Sequence, residues 1–253
     1  MIHITGDCHG EYRRFGSGCF PEQEEMGKGD YVIVCGDFGM WSRSKEQRHW
    51  RAWLKEKPFT VLWADGNHEN YDLLKEYEMI QWNGGRVQLV DGSIHLMRGQ
   101  VYEFAGKRWF VFGGARSHDI SGGILEKNDP GYYRKKKQLD RRREEYRVNH
   151  ESWWKEEMPS EEEFEEGRRN LEAVGWKVDY VITHCAPTSI QEQLTAGEEH
   201  NGRPDYVPDE LTDYLEEIKE RLDFKQWFFG HYHRNQVVEG RFGALYEQII
   251  RIL

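Results

Sequence analysis

Short apolar runs recur along this chain, at Ile2–Thr5, Tyr31–Cys35, Phe59–Ala64, Tyr180–Thr183 and Trp227–Phe229, and each reads as a β-strand. Between them the period lengthens. Lys45–Lys57 carries Trp50, Trp53 and Leu54 at i, i+3, i+4 spacing, with Ser42 as its expected cap. Ser160 and Glu163 form a capping box ahead of an amphipathic helix bearing Phe164, Leu171 and Val174, and a further helix is expected near Pro208-Asp209-Glu210. Strands alternating with helices in this way predict a mainly parallel sheet with crossover helices. From Arg86 to Gly114 the pattern changes to short strands broken by Asp91-Gly92 and Ala105-Gly106-Lys107, which are hairpin signals expected to build a second sheet. The tail, Ala244–Leu253, alternates like a closing strand. The alternation fails between Asn128 and Glu166, and residues 128–159 are read as an insertion over the edge of one domain spanning 1–253.

Nearly every predicted strand runs directly into a residue type that binds metal. The segments are Gly6-Asp7-Cys8-His9-Gly10, Gly36-Asp37, Gly66-Asn67-His68-Glu69, Thr183-His184 and Gly230-His231-Tyr232-His233. In an open α/β sheet the carboxyl ends of the strands share one edge, where ligands bind, so residues far apart in sequence can meet there. Gly6, Gly36, Gly66 and Gly230 each precede such a residue, where the lack of a Cβ is expected to let the backbone turn sharply off the strand. Imidazole, carboxylate and amide donors together suit Mn, Fe or Zn better than Ca, and the absence of thiolate argues against a structural zinc. Any one of these histidines alone is more often a surface or core residue. Their joint, ordered occurrence points instead to a catalytic metal pair.

The net charge of −10 discourages non-specific attraction to nucleic acid or an anionic membrane, unless a local basic patch overrides it. With 38% hydrophobic and 14% aromatic residues there is material for a core, while 32% charged residues imply a strongly ionic surface. Cys8, Cys19, Cys35 and Cys185 lack Cys-x-x-Cys spacing and are expected to be reduced thiols of a cytoplasmic protein. The chain begins inside its first predicted strand, and no stretch approaches the roughly 18–20 apolar residues that cross a bilayer, so no membrane partner is expected. Oligomeric state has no readable signature.

Through Asp7-Cys8-His9, Gly36-Asp37, Gly66-Asn67-His68-Glu69, His184 and Gly230-His231-Tyr232-His233, the chain resembles the calcineurin-like metallophosphoesterases over nearly its whole length. The resemblance implies an α/β fold, a four-layer α/β/β/α sandwich of two mixed sheets, with a dinuclear metal site at the carboxyl ends of the strands. It implies Asp7, His9 and His233 as ligands of a first divalent ion, Asn67, His184 and His231 as ligands of a second, and Asp37 as the bridge. His68 becomes the general acid. Two cations ~3.5–4 Å apart can hold a hydroxide for in-line attack on a phosphomonoester or phosphodiester. One departure stands out. Phosphoprotein phosphatases of the family follow the bridging Asp with a further Asp that orients the acid histidine, where this chain has Met40; Asp65 and Glu69 are the nearby carboxylates.

Several features stay open at this stage. Gly113-Gly114-Ala115-Arg116-Ser117-His118-Asp119 can bring Arg116 or His118 to a substrate phosphate, or be a solvated turn. The basic run Arg134–Arg147 can grip a polyanion such as nucleic acid, or form a solvated helix face paired with the acidic segment after it. Trp153 and Trp154 can stack on a base or anchor the insertion. The expected substrates are accordingly a nucleotide or dinucleoside polyphosphate, a nucleic-acid phosphate, or a phosphoprotein. The contrasting class is a catalytically inactive scaffold of the same fold, which loss of the ligands or of His68 would signal.

Overall fold

The computed structural model describes all residues except 40, 41, 198, 201, 202 and 205, and only the backbone of 199, 200, 203 and 204. Met40, where an orienting Asp would stand, therefore lies outside the described residues. The apolar runs form the inner strands of two large sheets, and their residues alternate between two buried environments. Strand β1 is Ile2–Thr5, β2 Tyr31–Val34, β3 Thr60–Trp63, β4 Met79–Trp82, β5 Gly85–Val90 and β6 Ser93–Leu96. Strands β1, β2, β3 and β6 run parallel, β5 and β4 continue the sheet antiparallel, and the C-terminal β17 (Ile250–Arg251) closes the opposite edge against β1.

The second sheet begins with β7 (Gln100–Phe104) and β8 (Lys107–Phe112), an antiparallel pair. After β8 comes a small ribbon of β9 (Ile124–Leu125) with β10 (Arg147–Val148), then β11 (Tyr180–Thr183), a ribbon of β12 (Glu199–His200) and β13 (Arg203–Pro204), and β14 (Gln226–Phe229), β15 (Gln236–Val238) and β16 (Phe242–Ala244). In space the sheet runs β15-β16-β14-β11-β8-β7, with β8, β11, β14 and β16 parallel. The hairpin region thus splits. Strands β4 to β6 stay with the first sheet, and only β7 and β8 open the second, because the chain crosses between sheets at Met97–Gly99. The tail splits too: β16 joins the second sheet and β17 the first, so Ala244–Leu253 is not one closing strand.

Ile33, Cys35, Leu62 and Ala64 face Trp109, Val111, Tyr180, Ile182 and Phe228 in the core between the sheets. The alternate residues Val32, Val34, Val61 and Trp63 pack outward beneath α1 (Lys45–Lys55) and α2 (Tyr71–Leu74). On the far side, Phe110, Phe112, Val181, Trp227 and Phe229 pack beneath α4 (Glu161–Ala173), α5 (Thr188–Thr195) and α6 (Glu210–Arg221). This is the four-layer α/β/β/α sandwich. Strands covered on both faces favour apolar residues at successive positions, which is why β2, β8, β11 and β14 read as runs rather than alternations, while β1 buries the polar His3 and Thr5 among its isoleucines. Each fully buried Val, Leu or Ile side chain contributes about 1.5–3 kcal/mol.

Helix starts follow side-chain chemistry. Ser160 and Glu163 make the reciprocal capping box of α4, and Asp209 caps α6 through Leu211 N and Thr212 N. The cap of α1 is Ser44, not Ser42: Ser44 Oγ accepts from Gln47 N at 3.1 Å, while Ser42 Oγ is taken by Ser44 N at 3.2 Å. The segment leading to α4 contains α3 (Tyr132–Arg142), whose Tyr132 and Leu139 pack on Leu125 and Val148 of the ribbon. Arg134, Lys135, Lys137, Arg141 and Arg142 are exposed on it, whereas Arg147 makes a two-point ion pair with Asp119. Trp154 is buried, its Nε1 donating to Asp72 Oδ2 at 2.7 Å, so it ties this segment to α2. No helix among the described residues is long and apolar enough to cross a membrane.

Candidate metal centre

Six parallel strands end at one edge of the sandwich. Asp7 follows β1, Asp37 follows β2 and Asn67 follows β3 in one sheet, while Ser117 and His118 follow β8, His184 follows β11, and His231 follows β14 in the other. Hydrogen bonds zip the two sheets together here. His184 Nδ1 bonds Cys35 O at 2.9 Å, His231 N donates to Asp7 Oδ1 at 3.0 Å, and Gly114 N donates to Asp65 O at 2.8 Å. Within the first sheet, Cys8 N and His9 N both donate to Asp37 O, and His68 N donates to Asp37 Oδ1 at 2.8 Å.

Two donor sets flank Asp37. The ligand atoms of Asp7, His9 and His233 lie within 4.8 Å of one another, among the described residues the only trio of His, Cys, Asp or Glu groups so close. His9 Nε2 and His233 Nε2 point at each other across 2.9 Å, and His233 Nε2 is 3.1 Å from Asp7 Oδ2. In the second set, His184 Nε2 is 3.2 Å from Asn67 Oδ1, and its ring centroid is 5.0 Å from that of His231. Asp37 divides its oxygens between them: Oδ2 is 3.8 Å from His9 Nε2 and Oδ1 is 3.4 Å from His184 Nε2. Oxygen and nitrogen donors converging without thiolate fit divalent cations of the Mn, Fe or Zn type. His68 stands beside the first set, its ring centroid 5.3 Å from that of His9.

The backbone is strained where the candidate ligands sit. His9, Asp37, His231 and His233 have φ of 48°, 44°, 67° and 49°, a left-handed region that is uncommon for side-chain-bearing residues, although His and Asp tolerate it best. Such residues cost on the order of 1–3 kcal/mol each and cluster at functional sites. The glycines serve mainly by their size. Gly36 does take a left-handed φ of +90°, but Gly66 and Gly230 do not; a Cβ on Gly66 would lie 2.1 Å from Asp37 Oδ1, and one on Gly230 1.9 Å from Asp7 Oδ1. The candidate ligands pack against the missing side chains.

Electrostatics follow burial and pairing. Burial alone would raise the Asp37 carboxyl, but His184, His68 and His9 hold it well below the usual carboxylate range. Burial would lower the fully buried His184, yet the Asp37 carboxylate outweighs it and lifts the imidazole to about 9. Burial lowers His68, opposed by Asp37; Arg147 adds to the lowering and Asp119 opposes it. The Cys8 thiol is pushed up to about 12 by burial, so this neighbour of two candidate ligands stays protonated and packs.

Asp65 is committed elsewhere. Its oxygens bind Arg98 Nε at 2.8 Å, Arg98 Nη2, Tyr71 OH at 2.9 Å and His95 Nε2 at 3.2 Å. Glu69 accepts from Phe38 N at 2.6 Å and from Gly39 N, which braces the turn after Asp37. Arg116 is drawn to the start of α6, with Nη2 2.7 Å from Glu210 Oε2 and Nε 3.3 Å from Asp209 Oδ2. His118 lies closer to the candidate ligands, its ring centroid 5.7 Å from that of His231. Both line a cavity of about 250 Å³ beside His231, with Tyr206 and Gln191.

Three supporting residues escaped the sequence reading. Arg14 donates to Asp7 O at 2.6 Å and to Tyr246 O at 2.6 Å, tying the first ligand loop to the C-terminal segment. Ser117 accepts from Asn67 Nδ2 at 3.3 Å and donates to Glu157 Oε2 at 2.6 Å. Burial pushes the Glu157 carboxyl up to about 7, against the lowering pull of its bonds from Ser117. Only the strand-end position of Ser117 signalled a role. Arg14 and Glu157 have ordinary sequence surroundings.

No curated protein matches the chain. The family model for calcineurin-like phosphoesterases matches residues 1–235 of the 253. With both sheets delivering its ligand-type residues to one edge in that order, the chain belongs to the calcineurin-like phosphoesterase family, whose members are in general metal-dependent phosphoesterases.

Proposed function

We propose that this protein is an active dinuclear-metal phosphoesterase, with Asp7, His9 and His233 holding one divalent ion, Asn67, His184 and His231 the other, and Asp37 bridging. The observation that carries the reading is the division of the Asp37 oxygens, Oδ2 toward His9 and Oδ1 toward His184. Bound Mn, Fe or Zn ions would neutralise charge on the phosphoryl oxygens and acidify a water near neutral pH. The chain's own residues do the rest. His68 donates a proton to the departing oxygen, a contribution typically worth about 10²- to 10⁴-fold. Its lowered pKa makes it a stronger acid, and the negative charge of a bound phosphate favours its protonated form. His118 and Arg116, on the cavity beside His231, are the proposed contacts for the esterified group.

Residues 1–253 act as one domain in this reading, with 128–159 as an insertion beside the site, in a cytoplasmic protein with reduced cysteines. Metal-free protein is reconstituted with Mn²⁺ and assayed on nitrophenyl phosphate and on its bis ester, the two substrates separating monoesterase from diesterase. Mn²⁺-dependent turnover that falls in His68→Ala, by as much as about 10²- to 10⁴-fold on esters with poorer leaving groups than nitrophenol, supports the proposal. Two tightly bound ions without turnover on either ester, or on nucleotides, oligonucleotides and phosphopeptides, would favour an inactive scaffold instead.

A further inference from the structure

The loop Asp65-Gly66-Asn67 is gripped from outside by one short turn, the 3₁₀ segment Lys155–Glu157 that precedes α4. The grip has two arms. In the first, Arg98 binds the Asp65 carboxylate and extends Nη2 to Glu156 O at 2.8 Å and Glu157 O at 3.3 Å. In the second, the Glu157 side chain accepts from Ser117 N at 3.0 Å and from Ser117 Oγ at 2.6 Å, and Ser117 Oγ accepts from Asn67 Nδ2. Asp65, Asn67, Arg98, Ser117 and Glu157 are all buried. Gly113 and Gly114 make the approach feasible: a Cβ on Gly113 would lie 2.3 Å from Asp65 Oδ1, and one on Gly114 2.6 Å from Glu157 O.

The second arm is directional. An asparagine can bind a cation only through Oδ1, and rotating its amide by half a turn presents the NH₂ group instead. A lone serine hydroxyl does not choose between these states, since it can donate to Oδ1 or accept from Nδ2. With Glu157, as a carboxylate, taking the hydroxyl proton, Ser117 Oγ offers Asn67 only an acceptor. Nδ2 therefore turns to Ser117 and Oδ1 turns to the site, where His184 Nε2 meets it at 3.2 Å.

We propose that Ser117 and Glu157 are positioning residues that hold the Asn67 carboxamide in its metal-binding orientation, so that docking of the Lys155–Glu157 turn assembles the second cation site. This rests on the dinuclear reading above. Partners that orient a ligand from outside typically change metal affinity by about 10- to 100-fold.

Calorimetric titration of the metal-free protein with Mn²⁺ tests it without reference to turnover. Wild type is expected to bind two ions. In Ser117→Ala the weaker-held or lost ion is the one dependent on Asn67, by about 10- to 100-fold, while the ion held by Asp7, His9 and His233 keeps its affinity. Ser117→Thr retains the hydroxyl and is expected to recover most of the loss, which a merely structural packing role would not produce. Glu157→Gln, nearly isosteric, is expected to weaken the same ion because its amide can donate to Ser117 Oγ and release the hydroxyl to turn. Unchanged affinities for both ions in Ser117→Ala and Glu157→Gln overturn the proposal; if Ser117→Ala does not fold, unchanged affinities in Glu157→Gln alone overturn it. A wild type that binds fewer than two ions refutes the dinuclear reading itself, an outcome visible before any variant is made.

Discussion

Removing the Arg98 guanidinium leaves a deeply buried carboxylate, that of Asp65, without its cationic partner. Asp65 and Arg98 are both nearly inaccessible to solvent, and Arg98 Nε lies 2.8 Å from Asp65 Oδ2. Burial alone would raise the Asp65 carboxyl, yet Arg98 and His95 hold it far below the usual range, so it is ionised at every ordinary pH. Arg98→Ala leaves that carboxylate with only Tyr71 OH at 2.9 Å and His95 Nε2 at 3.2 Å among its side-chain partners in the described structure. Breaking a buried pair from one side costs about 3–5 kcal/mol. For a chain of this size each kcal/mol moves Tm by about 2–4 °C, giving an expected fall of about 6–20 °C. The pH dependence carries a sign. In wild type the depressed pKa contributes stability that is present above the unfolded value of about 3.9 and lost as pH falls below it. In Arg98→Ala burial dominates and the carboxyl pKa rises, so the variant loses stability as pH climbs above about 4. The Tm gap must widen from pH 4 to pH 7 in thermal melts of the metal-free proteins, and the double variant Asp65→Asn, Arg98→Met must close most of it. A gap of under about 2 °C at pH 7, or one that does not change with pH, refutes the reasoning.

Other outcomes follow from the same geometry. Gly230→Ala is expected to displace the Asp7 carboxylate, because its Cβ would lie 1.9 Å from Asp7 Oδ1 and 2.6 Å from the Cys35 carbonyl oxygen; metal analysis should find the Asp7, His9 and His233 ion lost. Gly18→Ala, with nothing within 4 Å, is the control that should retain it. His184, lifted to about 9 without metal, must lose a proton to bind, so Mn²⁺ affinity should rise by up to about tenfold per pH unit below that value. Titration in buffers of different ionisation enthalpy reads the released proton, and an affinity independent of pH between 6 and 8 would count against it. Conversely, in the metal-free protein the raised His184 pKa contributes stability that is complete below the ordinary value of 6.5 and lost as pH rises through about 9. The acid role of His68 predicts turnover that declines as pH rises and a His68→Ala penalty that shrinks on esters with better leaving groups; an equal penalty on all leaving groups would contradict proton donation.

The strands that end at the site were legible because they are buried on both faces, so most of them read as short apolar runs, as from Tyr31 to Val34 or from Tyr180 to Ile182. The ligand-type residues were legible because they follow those runs at fixed, short intervals. Less legible were the hairpin region and the tail. Residues 86–114 and 244–253 contain plausible strands throughout, but pairing partners are chosen by the crossover at Met97–Gly99 and by the passage of Tyr246 past Gly6, neither of which has a local sequence mark. The glycines were found for an incomplete reason: at Gly66 and Gly230 the need is room for the carboxylates of Asp37 and Asp7, which belong to other strands.

By itself, then, the sequence determined which side chains could serve as ligands and that parallel strands would carry them to one edge, since period, spacing and donor chemistry are local properties. Tertiary structure alone decided how they are aimed. The split of the Asp37 oxygens between His9 and His184, the commitment of Asp65 to Arg98, and the hold of Glu157 and Ser117 on Asn67 all join residues that are distant in sequence. Orientation at a buried polar site is set by whichever groups satisfy the remaining hydrogen bonds, and those partners are known only once the two sheets and the Lys155–Glu157 turn have packed together.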